Sequence, residues 1–482
     1  MYLSEILKAI TYEKSILYRE LKISGLSIDS KHILKGDLYI AFQGNKNDGH
    51  LFAEEAVANG AVAIVCERVL PIEVPQIIVQ NARAVANLLP SIFYGHPEEK
   101  LKIIGVTGTN GKTTTIHMLA SILQAAGKNI ATVGTLGIKY NQVEIAPDLT
   151  TPDPIFLFKN LKDFVDAGVE YVVMEVSAHA LHYEKVIHIP FEIAVFTNCT
   201  PDHLDFFENM EAYKLAKEKF FSNNTCKHRI LNIDDALGLA MSKKYVNVTR
   251  YALDTDADVF AIHVDEGLDG SSFLASYNNE FLDIKLQLIG RHNVYNALSA
   301  ICAAKLLEIE DKYIVQGLES LQMVDGRLQH VAKYKGADIF IDFAHTPDGL
   351  EKSLATLRRY CKGRLISLFG CGGNRDRQKR PIMGQISAKI ADFTIITSDN
   401  PRYEEPMDII EEIEKGFKSI SDNYVAIEDR KRAIAYGLDS LQEGDILIIA
   451  GKGAECYQEK MGIKHYFSDQ TTVLTLIDAI KE

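Results

Sequence analysis

The run Gly105-Val-Thr-Gly-Thr-Asn-Gly-Lys-Thr-Thr114 constrains this chain more than any other segment. It follows the apolar stretch KIIGV and precedes TTTIHMLASILQAAG, whose apolar spacing is that of an amphipathic helix, so it predicts a strand, a glycine-rich turn and a helix. Free backbone N–H groups and the helix dipole at such a junction favour a polyphosphate. Lys112 would reach the terminal phosphates and Thr113 would approach magnesium, with Gly108, Thr109, Asn110, Gly111 and Thr114 forming the cradle around them. The strict G-x-x-x-x-G-K-S/T spacing is not met, because Val106 takes the first glycine position. ATP or GTP binding follows; hydrolysis, transfer and ligation all stay open at this point.

The apolar runs on either side extend the same architecture. DLYIAF, AVAIVCE and QIIV, with the helical EEAVANG, predict a small N-terminal α/β domain over 1–99. EYVVMEV, IAVFTN and HRILNID continue the central strand signature over 100–325, a mostly parallel sheet of P-loop type. After the turn-like VDGR, the runs DIFIDFAH, RLISLFGCGG, DFTIITSDNP and DILIIAGKG predict a Rossmann-like α/β domain over 326–482. Ligands of open parallel sheets gather beyond the carboxyl ends of the strands, and here those ends carry glycines or ionisable groups. A chain of 482 residues is long enough for about three such domains.

Composition excludes several function classes. Lys plus Arg (52) against Asp plus Glu (65) gives a net charge of -13, which disfavours a general nucleic-acid binder. No apolar run has the length of a membrane span, and MYLSEILKAITYEK lacks the features of an export signal. The cysteines at 66, 199, 226, 302, 361, 371 and 456 are odd in number and never in a C-x-x-C pair, so a reducing cytoplasm is expected, without disulfides or a zinc site.

Other positions carry a chemical reading beside a plainer one. Glu175 in MEVSAHAL and His203 in TPDHLDFF lie at strand ends as metal ligands or as packing residues. Lys217 in AYKLAKEKFF is, on its face, one lysine among several on a solvated helix. Ser177 and His179 could form a nucleophile and base, but no G-x-S-x-G elbow surrounds the serine, which argues against a hydrolase. Asp399-Asn-Pro-Arg402 reads locally as a turn at a strand terminus.

T-G-T-N-G-K-T-T, with Asp29-Ser-Lys31, Asp48-Gly-His50 and Thr150-Thr-Pro-Asp153, resembles the Mur ligase superfamily, which also includes folylpolyglutamate synthetases. The likeness covers nearly the whole chain and is strongest to the members that add the third residue of the peptidoglycan stem. It implies three domains that bind a UDP-sugar, ATP and an incoming amino acid in turn. It also implies an ADP-forming ligase that uses magnesium and joins meso-diaminopimelate to UDP-N-acetylmuramoyl-L-alanyl-D-glutamate through an acyl phosphate. The resemblance assigns Glu175 and His203 to magnesium, and makes Lys217 similar to a lysine that carbon dioxide converts to a carbamate. A neutral amine is needed for that step, so burial or neighbouring cations must lower its pKa. Asn293, Arg327, Asp342 and His345 would contact the nucleotide, with Asn296 beside them in GRHNVYNAL, and Ser30, Thr150, Thr151, Ser177 and Lys185 the muramoyl dipeptide.

By the same resemblance, D-N-P-R marks enzymes that add meso-diaminopimelate, whereas lysine-adding members usually carry another residue in place of the arginine. A guanidinium fork can pair with the distal carboxylate that diaminopimelate has and lysine lacks. Arg402 is therefore the expected specificity residue, with Arg375, Asp399, Asn400, Gly451 and Glu455 around the same amino acid. The chain departs from the pattern at Ala178, Lys185, Gln329, Asn374 and Ala454, which bears on substrate affinity and on the third domain. Competing readings are the same ligase acting on L-lysine, a folylpolyglutamate synthetase-like ligase, and a non-catalytic scaffold. A cytoplasmic monomer is expected, without nucleic-acid partners or membrane insertion.

Overall fold

The computed structural model describes residues 1–44, 47–146, 149–222, 225–278 and 280–481. The chain packs as two compact units, one of Met1–Gly105, Lys128–Ala194 and Lys219–His228, the other of Val106–Gly127, Val195–Glu218 and Arg229–Glu482.

In the first unit, a five-stranded sheet has the order Lys14–Ile16, Gln76–Ile78, Ala63–Cys66, Asp37–Ile40 and Gly25–Ser27. It is parallel except for the antiparallel edge strand Lys14–Ile16. Near-continuous apolar runs suit this sheet because both faces are covered. Leu38, Ile40, Ala63, Val65 and Ile77 enter one core with Leu3, Ile6 and Leu89, while Tyr39, Ile64, Cys66 and Ile78 enter the opposite one with Ala53 and Ala56.

An eleven-stranded sheet carries the loop after Thr107. Its order is Glu280–Leu286, Gly270–Tyr277, Val259–Gly267, Val248–Ala252, Cys226–Asn232, Phe191–Phe196, Lys102–Thr107, Tyr171–Glu175, Ile130–Gly134, Gly137–Tyr140 and Val143–Ile145. Parallel pairing is seen where Tyr171–Glu175 meets Ile130–Gly134 and where Val248–Ala252 joins its neighbours, and both margins turn antiparallel through hairpins.

A six-stranded sheet in the second unit has the order Gln329–Tyr334, Ala337–Asp342, Ile446–Ala450, Leu365–Phe369, Phe393–Thr397 and Tyr424–Ile427, and is parallel beyond its first hairpin. Alternate residues feed two cores: Phe340, Phe369, Ile396 and Ile448 enter one, and Ile339, Leu368, Ile395 and Ile449 the other. Ile446–Ala450 lies between strands that come earlier in the chain, so connections leave the sheet in both directions there. A crevice at the carboxyl ends is the expected consequence. Nearby, Arg430 and Asp469 form a fully buried two-bond ion pair, both contacts 2.8 Å, and the guanidinium also donates to the Ala450 carbonyl at 3.0 Å. Among the described residues, no helix is long and apolar enough to cross a membrane.

Candidate functional site

The strand Lys102–Thr107 is buried from Ile103 onward and delivers the chain to a loop that the helix Lys112–Ala125 closes. Gly108 and Gly111 both have positive φ, +154° and +87°. A Cβ on Gly108 would collide with Thr197 Oγ1, and one on Gly111 with Asn296 Oδ1, so glycine is required at both positions. Residues 197–200 clasp the loop: the Thr109 amide donates to the Asn198 carbonyl and the Asn110 amide to Asn198 Oδ1, each at 2.9 Å, while Thr197 Oγ1 donates to the Asn110 carbonyl at 2.6 Å. Gly108→Ala is expected to cost about 2 kcal/mol or more of stability and to abolish nucleotide binding. Gly127→Ala, also at positive φ but in open space, should cost only about 1 kcal/mol. Thermal melts with and without ATP distinguish the two variants.

Lys112 curls back over its own loop and donates to the carbonyls of Gly108 and Thr109 at 2.8 and 2.9 Å. Arg327 donates to Thr113 Oγ1 at 2.8 Å and its guanidinium carbon stands 4.5 Å over the Phe343 ring. Thr114 is buried in the first turn of the helix. Asn296 links the loop to Asn293, whose Oδ1 accepts from it at 3.0 Å and whose amide holds the Ile289 carbonyl at 2.9 Å. Asp342 is placed as a brace: its oxygens accept from the Leu328 amide at 2.7 Å and from the Ala344 amide and Ser353 Oγ at 2.9 Å each. Sequence reasoning missed Asp348, which accepts from the Asn110 side chain at 2.7 Å and Thr200 Oγ1 at 3.2 Å. Only the fold brings the TPDG segment to the loop.

His203 begins a short helix with φ +56° and pairs with Asp202 at 3.3 Å. Burial, helped by the positive charges of Lys112 and Lys217, pushes its pKa down to about 4 against the pull of Asp202, so its imidazole is neutral near pH 7. His345 is likewise lowered to about 4, by burial and then Lys379; its Nδ1 lies 2.8 Å from the Phe343 carbonyl.

Lys217 has no solvent exposure. Its Nζ stands 4.4 Å from the Tyr213 ring centroid and has no hydrogen-bond partner among the described residues. Burial, and then the charge of Lys112, lowers its pKa to about 7. The helix-face reading of Lys217 is therefore corrected: the residue lies on the buried side of Met210–Glu218.

In the first unit, Glu175 ends the buried strand Tyr171–Glu175 and is 1% exposed. Its carboxylate accepts from the Thr135 amide at 2.8 Å and Thr135 Oγ1 at 3.2 Å. Thr151 Oγ1 donates to the Glu175 carbonyl and accepts from the Ser177 amide, each at 2.9 Å, and Thr135 Oγ1 lies 3.3 Å from Thr150 Oγ1. Glu175, Thr150, Thr151 and Ser177 thus form one cluster, to which Thr135 belongs although no sequence signal marked it. Lys185 is ion-paired with Asp153, and both line a small pocket with Phe42, Arg83, Asn87 and Tyr183. Ser30 is buried in its own turn and donates to Glu55 at 2.6 Å.

In the second unit, the turn Asp399–Arg402 meets the loop after Ala450. Asn400 donates to Glu455 Oε2 at 2.9 Å and accepts from the fully buried Lys452 at 3.1 Å. Lys452, a residue the sequence reading passed over, also stands 3.3 Å from Glu455. Burial raises the Glu455 pKa, with Lys452 opposing; Lys452 and Arg430 hold Asp399 low despite its burial. Gly451 has φ +115°, and a Cβ there would stand 2.5 Å from Asp399 Oδ2. Arg402, at φ +52°, donates through Nη1 to the Gly373 carbonyl at 2.9 Å. Arg375 is exposed in the adjoining loop, which Asn374 ties to the Tyr403 amide at 3.0 Å. Gln329 accepts from the Gly326 amide at 2.9 Å.

Comparison with known proteins matches residues 22–106 to "Mur ligase family, catalytic domain", 106–304 to "Mur ligase middle domain" and 326–453 to "Mur ligase, glutamate ligase domain". A Clostridium botulinum protein named UDP-N-acetylmuramoyl-L-alanyl-D-glutamate--2,6-diaminopimelate ligase is 40% identical, with all of both chains covered. An Aquifex aeolicus protein of the same name is 39% identical, with 97% of each chain covered. A solved structure of a ligase of that name is 32% identical, with a TM-score of 0.66 over 95% of this chain and 96% of the other. The Thermotoga maritima MurF ligase in complex with ADP shares the fold at 19% identity, with a TM-score of 0.64 over 94% of this chain and 97% of that one.

Proposed function

Because the chain belongs to the Mur ligase family, we propose that it joins meso-diaminopimelate to UDP-N-acetylmuramoyl-L-alanyl-D-glutamate, with ATP converted to ADP and phosphate, in peptidoglycan precursor synthesis. The observation that carries the choice of amino acid is the constellation around Asp399–Arg402. It places the Arg402 guanidinium on the same turn as Asn400, which together with Lys452 holds the Glu455 carboxylate. A molecule ending in both a carboxylate and an ammonium suits that pairing of charges.

A carboxylate is a poor electrophile, and phosphorylation corrects this. An oxygen of the substrate carboxylate attacks the terminal phosphorus of ATP, the bond to ADP breaks, and an acyl phosphate forms. The amine of diaminopimelate then attacks the acyl carbon, phosphate leaves, and the nitrogen loses its proton as the amide forms. The loop amides and Lys112 stabilise charge on the transferring group, the lysine turning from its own loop carbonyls toward the phosphates. Arg327, braced by the Asp342 turn, and His345 border the nucleotide, with Asn293 and Asn296 shaping the loop from behind. Thr150, Thr151, Ser177, Ser30 and Lys185 contact the muramoyl dipeptide. We assign the sugar nucleotide, ATP and amino acid to 1–99, 100–325 and 326–482, in a cytoplasmic monomer.

The residues present fit magnesium. His203 offers a neutral imidazole, Glu175 a buried carboxylate and Thr113 a hydroxyl, while the orphaned Lys217 amine has the lowered pKa that carbamate formation needs. Within the second unit His203, Thr113 and Lys217 would hold it, with Glu175 assigned to magnesium by the family resemblance alone, and magnesium when bound would supply charge neutralisation at the phosphates. The test of the reaction is oxygen-18 in the substrate carboxylate: one label should appear in released phosphate, and unlabelled phosphate would contradict the acyl-phosphate route.

A further inference from the structure

The hairpin Tyr457–Lys460 and Ile463–Tyr466 is sewn to the Asp399–Arg402 turn by its backbone. The Arg402 amide donates to the Glu459 carbonyl at 3.0 Å, the Met461 amide to the Arg402 carbonyl at 2.7 Å, and the Glu459 amide to Asn400 Oδ1 at 2.9 Å. Gln458 reinforces the seam by donating to the Asp399 carbonyl at 2.6 Å. Because main-chain bonds set this register, the Glu459 side chain is delivered to one place, with its Oε2 3.3 Å from Arg402 Nε. With Nη1 on the Gly373 carbonyl, two of the three guanidinium nitrogens are engaged within the chain. Both side chains keep about a fifth of their surface in solvent, 20% for Arg402 and 22% for Glu459, so a small ligand can reach the pair.

We propose that Glu459 is a specificity-determining residue, a tethered carboxylate that occupies the arginine in place of the substrate's distal carboxylate and so narrows the preference for diaminopimelate over lysine. This rests on the function proposed above. An arginine fork binds a carboxylate most strongly through two parallel N–H bonds. Glu459 already stands on Nε, so an incoming carboxylate must displace it or accept a poorer geometry. A substrate with only a distal ammonium meets the opposite field: Glu459 offsets the positive charge of Arg402 and adds to the negative charge of Glu455. One side chain therefore weakens the preferred substrate and shelters the competitor.

The test is steady-state kinetics of Glu459→Gln and Glu459→Ala beside the unaltered protein, with meso-diaminopimelate as substrate and L-lysine as alternative substrate or competitive inhibitor. The pair keeps about a fifth of its surface in solvent, so effects of roughly three- to fivefold are expected. KM for diaminopimelate should fall by that factor with kcat unchanged, and the lysine constant should rise by a similar factor, widening discrimination by about ten- to twenty-five-fold. Added salt should lower KM for diaminopimelate in the unaltered protein more than in Glu459→Gln, because it screens the competing pair. An unchanged or higher KM for diaminopimelate, or a parallel shift of both substrates' constants, would show that Glu459 only anchors the hairpin and would overturn the proposal. Loss of kcat in both variants with a lowered melting temperature would do the same. Absence of diaminopimelate-dependent turnover in the unaltered protein would instead refute the proposed function, which separates the two failures.

Discussion

Arg402→Ala is expected to lower kcat/KM for meso-diaminopimelate by about 10³-fold or more, a size set by what polar recognition sites lose when a buried partner goes unmatched. Its turn is rigid enough to make the loss specific. Arg402 sits at φ +52°, its amide and carbonyl are bonded to the hairpin, and Nη1 is fixed on Gly373. Truncation removes the only fork of this turn while the main-chain bonds remain, so ATP binding and the melting temperature should stay close to those of the unaltered protein. Arg402→Lys should recover little, since an ammonium keeps the charge and loses the paired geometry. Kinetics with a diaminopimelate titration decide the matter, and a loss below about tenfold would remove Arg402 from its proposed role.

Lys217→Met is the second large effect, a fall in kcat of about 10²-fold or more, comparable to removing one electrostatic stabiliser from a reaction centre. Lys217 is buried without a hydrogen-bond partner among the described residues, and its pKa is lowered to about 7 from an ordinary 10.5. The sign of the pH dependence follows. Between about 7 and 10.5 the unfolded chain binds the extra proton, so this residue's contribution to stability improves as pH rises through that window. Below about 7 its buried ammonium is fully unfavourable. Lys217→Met removes that cost and should be at least as stable as the unmodified protein at neutral or lower pH, while inactive. Carbon-13 bicarbonate should give a carbamate resonance that fades as pH falls below 7 and is absent in the variant. A stable resonance at acid pH, or an active Lys217→Met, would contradict the assignment.

The parts of the fold that local patterning determines were readable in advance. Strands buried on both faces, such as Ile446–Ala450 and Leu365–Phe369, carry unbroken apolar runs, and the glycines of the phosphate loop announce backbone that no other residue tolerates. The D-N-P-R turn was visible for the same reason. The hairpin margins were not: Gly270–Tyr277 and Glu280–Leu286 alternate in burial because one face meets solvent, so they lack the unbroken apolar runs of the central strands, and their pairing is decided by tertiary contact. Residues whose role arises from long-range packing were also hidden. Asp348 reaches the phosphate loop across more than two hundred residues of sequence, Lys452 acts only once Asn400 and Glu455 converge on it, and the burial of Lys217 depends on the packing of the helix Met210–Glu218. Asp342 illustrates the opposite case, a carboxylate expected at the nucleotide whose oxygens are already spent on the turn that carries Arg327.

The measurement closest to the central claim is phosphate release by the purified protein with ATP, magnesium and UDP-N-acetylmuramoyl-L-alanyl-D-glutamate, comparing meso-diaminopimelate, L-lysine and no amino acid. Release that depends on diaminopimelate and far exceeds that with lysine is the predicted result; equal or greater release with lysine, or release that needs no amino acid, would contradict it.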